Sequence, residues 1–226
     1  MKKPLLAACL LLTLLAPTHA QDFGEAVPDY APKGLRPFVG VGLTRGGDTL
    51  MRIHNDATGA RDNDITRIRA GDGLDLRVGL SMRLGSLPWT LQMAVAYHND
   101  QKNGQDDTKY RFRRVPVDAT LLWHATDRAR IGFGVRKATN PVVKIDNGRF
   151  ANDPTRRDAK IDMKSSLGFI VEGEYAVTPS WSLKGRYVYE TFRPKDPDGL
   201  ASRLLDSGGA KVKGDHLGIQ SVWYLF

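Results

Sequence analysis

The sequence has almost no cysteine and, beyond its first twenty residues, no long apolar run. Its single cysteine, Cys9, lies within that N-terminal segment. If the segment is removed, the mature chain contains no thiol, which excludes disulfide cross-links and cysteine chemistry. No later apolar run approaches the roughly 20 residues that a membrane helix needs. A disulfide-stapled secreted domain and a helical membrane protein are therefore both excluded.

The N-terminal segment has the features of a secretory signal peptide. Two lysines precede an apolar run from Leu5 to Ala16, and small residues end at Ala20. We expect residues 1–20 to be removed on export, residues 21–34 to form a short periplasmic tail, and residues 35–226 to form the folded domain. The sequence around Cys9 resembles a lipoprotein cleavage box, but the apolar run continues beyond it, which disfavours lipidation.

The clearest pattern in the chain is a period of two between Asp72 and Gly85. Apolar and polar residues alternate there without interruption: Leu74, Leu76, Val78, Leu80 and Met82 against Asp75, Arg77, Gly79, Ser81 and Arg83. Successive side chains of a strand point to opposite faces, so the segment predicts a strand with one apolar face and one charged face.

Seven further segments repeat this alternation. They begin near Arg36, Trp89, Arg114, Ala129, Ile161, Trp181 and Lys213. Short turns at 84–88, 124–128 and 177–180 alternate with long polar segments at 45–71, 99–109, 137–160 and 192–212. We expect a hairpin through Ile65 and Ile68 in the first long segment and a β-bulge near Arg113.

This arrangement predicts an all-β fold, an eight-stranded antiparallel up-and-down transmembrane β-barrel. Barrels of the bacterial outer membrane have an even strand number, short periplasmic turns and long outer loops. Aromatic residues stand at both ends of two apolar faces, at Trp89 and Tyr97 and at Trp181 and Tyr189, where interfacial girdles require them. A lipocalin-like soluble barrel is the alternative, disfavoured by these girdles and by the charged opposite faces.

The end of the chain, Trp223-Tyr224-Leu225-Phe226, resembles the C-terminal signal that the barrel-assembly machinery recognises. With the strand count, the mature chain resembles the small outer-membrane barrels of the OmpA transmembrane-domain, OmpX and OmpW type. The resemblance implies a monomer in the bacterial outer membrane and an assembly signal at Trp223, Tyr224 and Phe226. Counting back from Phe226, alternate positions include Gln220 and Gly218, so the lipid-facing side of the last strand stays open.

The inward faces of the predicted strands carry charges of both signs. An eight-stranded barrel is just wide enough for side chains to fill its lumen, and buried charges persist only when paired. We therefore expect a cross-barrel ion-pair network, with interior glycines making room for it. Its predicted members are Asp75, Arg77, Arg83, Arg114, Asp118, Arg130, Arg136, Glu172, Glu174, Lys184, Arg186 and Glu190; Asp162 and Lys164 are also assigned to the inward face.

A near balance of charge favours a packed lumen, because a selective channel would need one dominant sign. We expect a structural or surface-interaction protein that contacts membrane lipids and lipopolysaccharide. The formal net charge of +8 is spread along the chain, so nucleic acid is not expected as a partner. A small porin-like channel for small or apolar solutes is the second hypothesis.

An enzyme that modifies lipid A is the third hypothesis. Such enzymes use a histidine and a serine on the lipid-accessible rim, but no predicted strand carries a His-x-Ser motif. We expect His98 to be an ordinary rim residue and name no catalytic residue. Asp62, Asn63 and Asp64 offer oxygen ligands without EF-hand spacing, so neither a metal nor another cofactor is expected.

Overall fold

The computed structural model describes residues 29–30, 34–54, 65–103, 108–150 and 153–225. The predicted signal peptide, most of the predicted tail and Phe226 lie outside the described residues. The strands are β1 (Leu35–Gly46), β2 (Thr49–His54), β3 (Ile65–Arg69), β4 (Gly73–Arg83), β5 (Trp89–Asn103), β6 (Lys109–His124), β7 (Ala129–Phe150), β8 (Asp153–Ser165), β9 (Leu167–Thr178), β10 (Trp181–Tyr189), β11 (Thr191–Pro194), β12 (Val212–Lys213) and β13 (His216–Tyr224); the helix α1 spans Leu200–Leu204. In these ranges, no helix has both the length and the apolar character needed to cross a membrane.

Eight of the strands close into an antiparallel barrel, which confirms the predicted fold. They follow the order β1, β4, β5, β6, β7, β9, β10 and β13, and β13 pairs again with β1. The closing register sets Phe38 opposite Tyr224 and Gly46 opposite His216. Closure gives each spanning strand two hydrogen-bonded neighbours, which is the condition for a sheet to exist in lipid.

The outside of this barrel is an apolar belt. Val78, Phe133, Val171 and Ile219 expose 57 to 68 % of their surface, while their sequence neighbours are turned inward. All four tryptophans lie near the short-turn end of the belt, where Trp89 pairs with Trp123 and Trp181 pairs with Trp223. Tyr97, Tyr187 and Tyr189 lie near the opposite end. A continuous apolar surface bounded by aromatic residues is suited to lipid and not to water.

The face of the last strand that meets lipid is settled by pairing. On β13, Gln220, Val222 and Tyr224 are at most 5 % exposed, whereas Ile219 and Trp223 are 68 and 41 % exposed. The positions that share the parity of Phe226 therefore face the lumen. The neighbouring strand decides this, because Trp223 pairs with the outward Val39.

Beyond the belt, the long polar segments fold into more sheet and a helix. β7 continues to Phe150 and pairs there with β8. β8 pairs in turn with β11, and β11 pairs with β12. The predicted hairpin at Ile65 and Ile68 is confirmed by the pairing of β2 with β3, and the predicted bulge by a register shift between Arg113 and Val115. We call the region formed by β2, β3, β8, β11, β12, α1 and the outer ends of β5 to β7 the cap.

The prediction of one strand from Ile161 to Tyr175 was wrong. The segment contains two strands, β8 and β9, and the irregularity at Ser166 exchanges their faces. Asp162 and Lys164, predicted in the lumen, are exposed on the outer side of β8, while Met163 is buried within the cap. A one-residue irregularity reverses every side chain that precedes it, and the period of two cannot reveal where that occurs.

A closed barrel should resist detergent until it is heated. We expect the folded protein to migrate faster in an electrophoresis gel before boiling than after it, because the unheated barrel stays compact. Identical migration of the two samples would contradict a closed barrel.

A charge introduced at the middle of the apolar belt should destabilise the protein more than one at its edge. Val78 is the central residue of five outward positions on β4, and Leu74 is the outermost. We expect Val78→Arg to lower the free energy of unfolding by about 2–4 kcal/mol and Leu74→Arg by about 0–1 kcal/mol. Denaturant titrations in phospholipid vesicles measure both, and equal losses would place the bilayer elsewhere.

Candidate functional site: the charged lumen and its cap

The centre of the lumen is organised around Asp118. Its carboxylate lies 3.0 Å from the guanidinium of Arg186, 3.3 Å from that of Arg77 and 3.7 Å from that of Arg136. All four side chains are at most 4 % exposed. Arg77 also contacts Asp75 at 2.9 Å, so the cluster alternates in sign across strands β4, β6, β7 and β10.

A second group of charges fills the lumen toward the short-turn end. The Lys184 ammonium lies 2.9 Å from Glu172 and 3.2 Å from Glu174, and Arg130 lies 3.0 Å from Glu174. Glu172 is also 3.3 Å from Arg186, which joins this group to the central one. Pairing compensates in part for the loss of water around these charges, although Glu172 Oε2 and Arg130 Nε accept or donate no hydrogen bond among the described residues.

Polar side chains extend this lower group to the terminal strand. The Tyr224 hydroxyl donates to Glu174 at 2.6 Å, and the Gln92 amide donates to Tyr224 at 2.7 Å. Lys184 donates to the Gln92 carbonyl at 2.7 Å. Of the residues predicted as an assembly signal, Tyr224 is thus buried in the lumen, Trp223 faces outward and Phe226 is outside the described residues.

Tyr30 contacts the barrel at the mouth of its short-turn end. The Tyr30 carbonyl accepts a hydrogen bond from the lumen residue Arg130, and the Tyr30 hydroxyl accepts one from Arg128 at 2.5 Å. Beside this contact, a void of only about 10 Å³ is lined by Arg83, Arg130 and Tyr224 among others. Arg83 is half-buried at this mouth, at the end of the lumen and not in its centre.

The outer end of the lumen is organised around Glu190. Its carboxylate lies 3.1 Å from Arg114 and 3.5 Å from Arg136, and both arginine side chains are completely buried. Arg136 also contacts Asp118, so the outer and central groups are continuous. The Arg114 guanidinium lies 5.2 Å from the rings of both Phe112 and Phe192, where the charge also interacts with the ring faces.

The ion pairs form one connected network through the lumen. Among the predicted members, Arg83 lies at the short-turn mouth, and the ion pairs described above join Asp75, Arg77, Arg114, Asp118, Arg130, Arg136, Glu172, Glu174, Lys184, Arg186 and Glu190. Glycines leave the space for it: a Cβ atom on Gly40 would lie 2.8 Å from the Arg77 side chain, and one on Gly132 would lie 3.0 Å from that of Glu172.

Two histidines complete the outer end of the lumen, where sequence reasoning had predicted a rim residue. His98 and His216 are at most 1 % exposed, and their ring centroids are 5.5 Å apart. His98 donates to the Asp72 carbonyl at 2.9 Å, and His216 donates to the Gly214 carbonyl at 2.7 Å. Both rings therefore face the lumen and the base of the cap, not lipid. His98 thus lies at the outer end of its strand, as predicted, but it is buried there and is not an exposed rim residue.

The cap has its own apolar core directly above the network. It contains Leu50, Met51, Ile68, Ala70, Phe112, Ala138, Val143, Ile145, Ala159, Ile161, Met163, Phe192, Ala201, Leu205 and Val212. These residues come from all the long segments except 99–109 and from the adjoining strands, so no local pattern could identify them as one core. Phe112 and Phe192 pack edge to face at 5.4 Å between centroids, immediately above Arg114.

Aspartates hold the cap to the barrel where strands are interrupted. Asp72 accepts a hydrogen bond from the Gly46 amide at 2.7 Å, Asp48 from the Lys213 amide at 2.8 Å, and Asp215 from the Glu190 amide at 3.1 Å. Each carboxylate replaces a missing strand partner, since buried backbone amides need an acceptor. These contacts lie at the ends of the neighbouring strands β10, β13, β1 and β4, where the barrel meets the cap.

The fold and these contacts define the class of protein. Closure on eight strands, an apolar belt with aromatic ends and a buried charged lumen occur together in one kind of molecule. The chain is an outer-membrane β-barrel. It therefore contacts membrane lipid over the whole belt.

The chain is similar to several solved structures at low sequence identity. No protein-family model and no curated protein sequence matches the chain. Similar solved structures include a major outer membrane protein of Thermus thermophilus, with 14 % identity, 85 % of this chain and 100 % of that chain covered, and a TM-score of 0.48. Ail of Yersinia pestis has 12 % identity, coverages of 86 and 100 %, and a TM-score of 0.45. Neisserial surface protein A has 11 % identity, coverages of 84 and 96 %, and a TM-score of 0.45.

The central carboxylate should be far more important to stability than a neighbouring polar residue. We expect Asp118→Asn to lower the free energy of unfolding by about 3–5 kcal/mol, because it leaves three buried guanidiniums short of negative charge. Thr120→Val, two residues along the same strand and similarly buried, should cost about 1 kcal/mol or less. Denaturant titrations compare the two, and similar losses would show that the charge of Asp118 contributes little.

Proposed function

We propose that the protein is a structural and surface-presenting component of the outer membrane with a sealed lumen. The observation that carries the proposal is the connected ion-pair network, whose members are almost completely buried from β4 to β10. An ion or solute passing through would have to separate these pairs, and separating buried charges costs several kcal/mol per ion. The balance of signs supports the same conclusion, because selective pores present an excess of one sign.

Two further layers support a sealed barrel. Above the network lies the apolar core of the cap, which offers a hydrated ion no polar partner. Below it, the tail contacts Arg130 and Arg128 at the opposite mouth. A channel would require both the ion-pair network and the apolar core of the cap to separate, so the porin-like hypothesis is the weaker one.

The histidine contacts support a role without catalysis. A lipid A-modifying enzyme needs a histidine and a nucleophile that its substrate can reach from the membrane. His98 and His216 instead face buried carboxylates at 3.6 and 3.7 Å, and His124 bonds to Thr90 at 2.7 Å near the short-turn end. These geometries serve packing.

The exposed surface of the cap is then the part of the protein available to partners. Its described strands are paired, its core is packed, and its outer face is rich in lysine and arginine. Such a surface is suited to anionic partners, of which lipopolysaccharide is the nearest. We further propose that the protein acts as a monomer, since β1 and β13 pair with each other and neither is left as an edge.

Electrical recording tests the sealed lumen. We expect the refolded protein, shown to be folded by its faster migration before boiling, to produce no discrete conductance steps in a planar bilayer. A barrel with no continuous water path conducts no ions. Steady steps from the folded protein would contradict the proposal and favour a small porin.

A further inference from the structure

One outer wall of the cap carries a marked excess of positive charge. We call this the basic wall: outward-facing positions on β6, β7 and β8 and on the chain through β11, above the apolar belt. Its basic residues are Lys109, Arg111, Arg113, Lys144, Lys160, Lys164, Arg193 and Lys195, and its acidic residues are Asp146, Asp158 and Asp162. An unbalanced surface of this kind attracts anions.

The basic side chains are set directly opposite one another across strands. Arg111 pairs with Lys144, which pairs with Lys160, and Lys164 pairs with Arg193. Like charges opposite each other destabilise a sheet. The acidic residues relieve this only in part: Asp146 pairs with Arg111 and Asp162 with Lys160, but among the described residues no carboxylate lies within 4.0 Å of Lys144, Lys164 or Arg193. The arrangement calls for an anion from outside the protein.

A cleft opens in the same wall just above the belt. It has a volume of about 450 Å³ and is lined by Tyr97, Arg113, Arg114, Val115, Asn140, Val142, Lys160, Asp162 and Lys195. It forms where β7 changes its partner strand. Lys137 of β7 pairs with Leu167 of β9, whereas Val142 of β7 pairs with Asp162 of β8. At this point Asn140 has a φ of 47°, and the register with β6 shifts.

The cleft has an apolar side next to the belt and a basic side above it, which matches the acyl chains and the charged headgroup of a lipid. Tyr97 and Val115 belong to the outward faces of β5 and β6, which continue downward as the apolar belt through Val95 and Val117. Arg113, Lys160 and Lys195 stand on the side of the basic wall. A soluble phosphate would use only the charged residues, whereas a lipid would use both the charged residues and the adjoining belt.

We propose that this cleft and the basic wall bind the phosphorylated headgroup of an anionic glycolipid of the outer leaflet, whose acyl chains lie along the belt on β5 to β7. Arginine and lysine form charge-assisted hydrogen bonds to phosphate oxygens, and a phosphate between opposed cations removes their repulsion. The inference rests on the surface-contact role proposed above, but not on the sealed lumen, which the conductance measurement tests separately.

Native mass spectrometry of the detergent-folded protein with diphosphorylated lipid A tests the proposal. The cleft variant is Arg113→Gln, Lys160→Gln and Lys195→Gln combined. The matched control is Lys102→Gln, Arg203→Gln and Lys211→Gln combined, which removes the same charge from residues elsewhere on the surface. We expect the wild type and the control to bind one lipid with similar affinity, and the cleft variant to bind at least about tenfold more weakly, because three phosphate contacts are lost.

Three results would overturn the proposal. Equal weakening in the control variant would show general charge attraction and no site. Equal binding of lipid A lacking its phosphates would show that the belt alone holds the lipid. Displacement of lipid A by inorganic pyrophosphate at equal concentration would identify a soluble polyphosphate as the occupant. Faster gel migration before boiling must be retained by both variants, which separates loss of binding from loss of folding.

Discussion

The mutual pairing of nearly balanced charges inside a narrow closed barrel is the constraint on which the rest of this structure depends. Closing eight strands brings inward side chains from opposite walls within contact, and no residue there can be charged independently of the others. Asp118 illustrates the dependence, since it is shared by guanidiniums from three different strands. Glycines at Gly40 and Gly132 belong to the same constraint, because the charged side chains occupy the volume that larger residues would fill.

The outer face of these strands meets lipid within the belt and water in the cap. Within the belt, apolar side chains point outward to lipid and charges point inward. This order is reversed on β8 before the break at Ser166, where Met163 faces the apolar core and Lys164 faces outward. It is also reversed on β7 beyond Asn140, where Val143 faces the core and Lys144 faces outward. At the break between β8 and β9, the Ser166 amide donates to the Thr191 carbonyl at 2.9 Å, so the reversal there leaves this backbone amide paired.

These two constraints leave the surface of the molecule, and not its lumen, available to partners. The lumen is filled by mutually bonded charges, and the histidines that could have suggested catalysis are part of that packing. The reversal of faces that builds the cap core also brings its lysines and arginines outward, above the lipid boundary. A chain with a modest net charge thus presents one strongly basic wall at the level of anionic headgroups.

The sequence by itself determined the barrel, the eight spanning strands and the charged lumen, because the period of two is local and each spanning strand displays it. It did not determine the cap, since Leu50, Phe112, Phe192 and Val212 form one core only after distant segments meet. The basic wall was hidden for a related reason: Lys164 seemed to face the lumen until the break at Ser166 was known. Pairing also decided that Tyr224 faces inward. Features set by contact between distant strands required the tertiary structure, since nothing in a single strand reports the register of its neighbour.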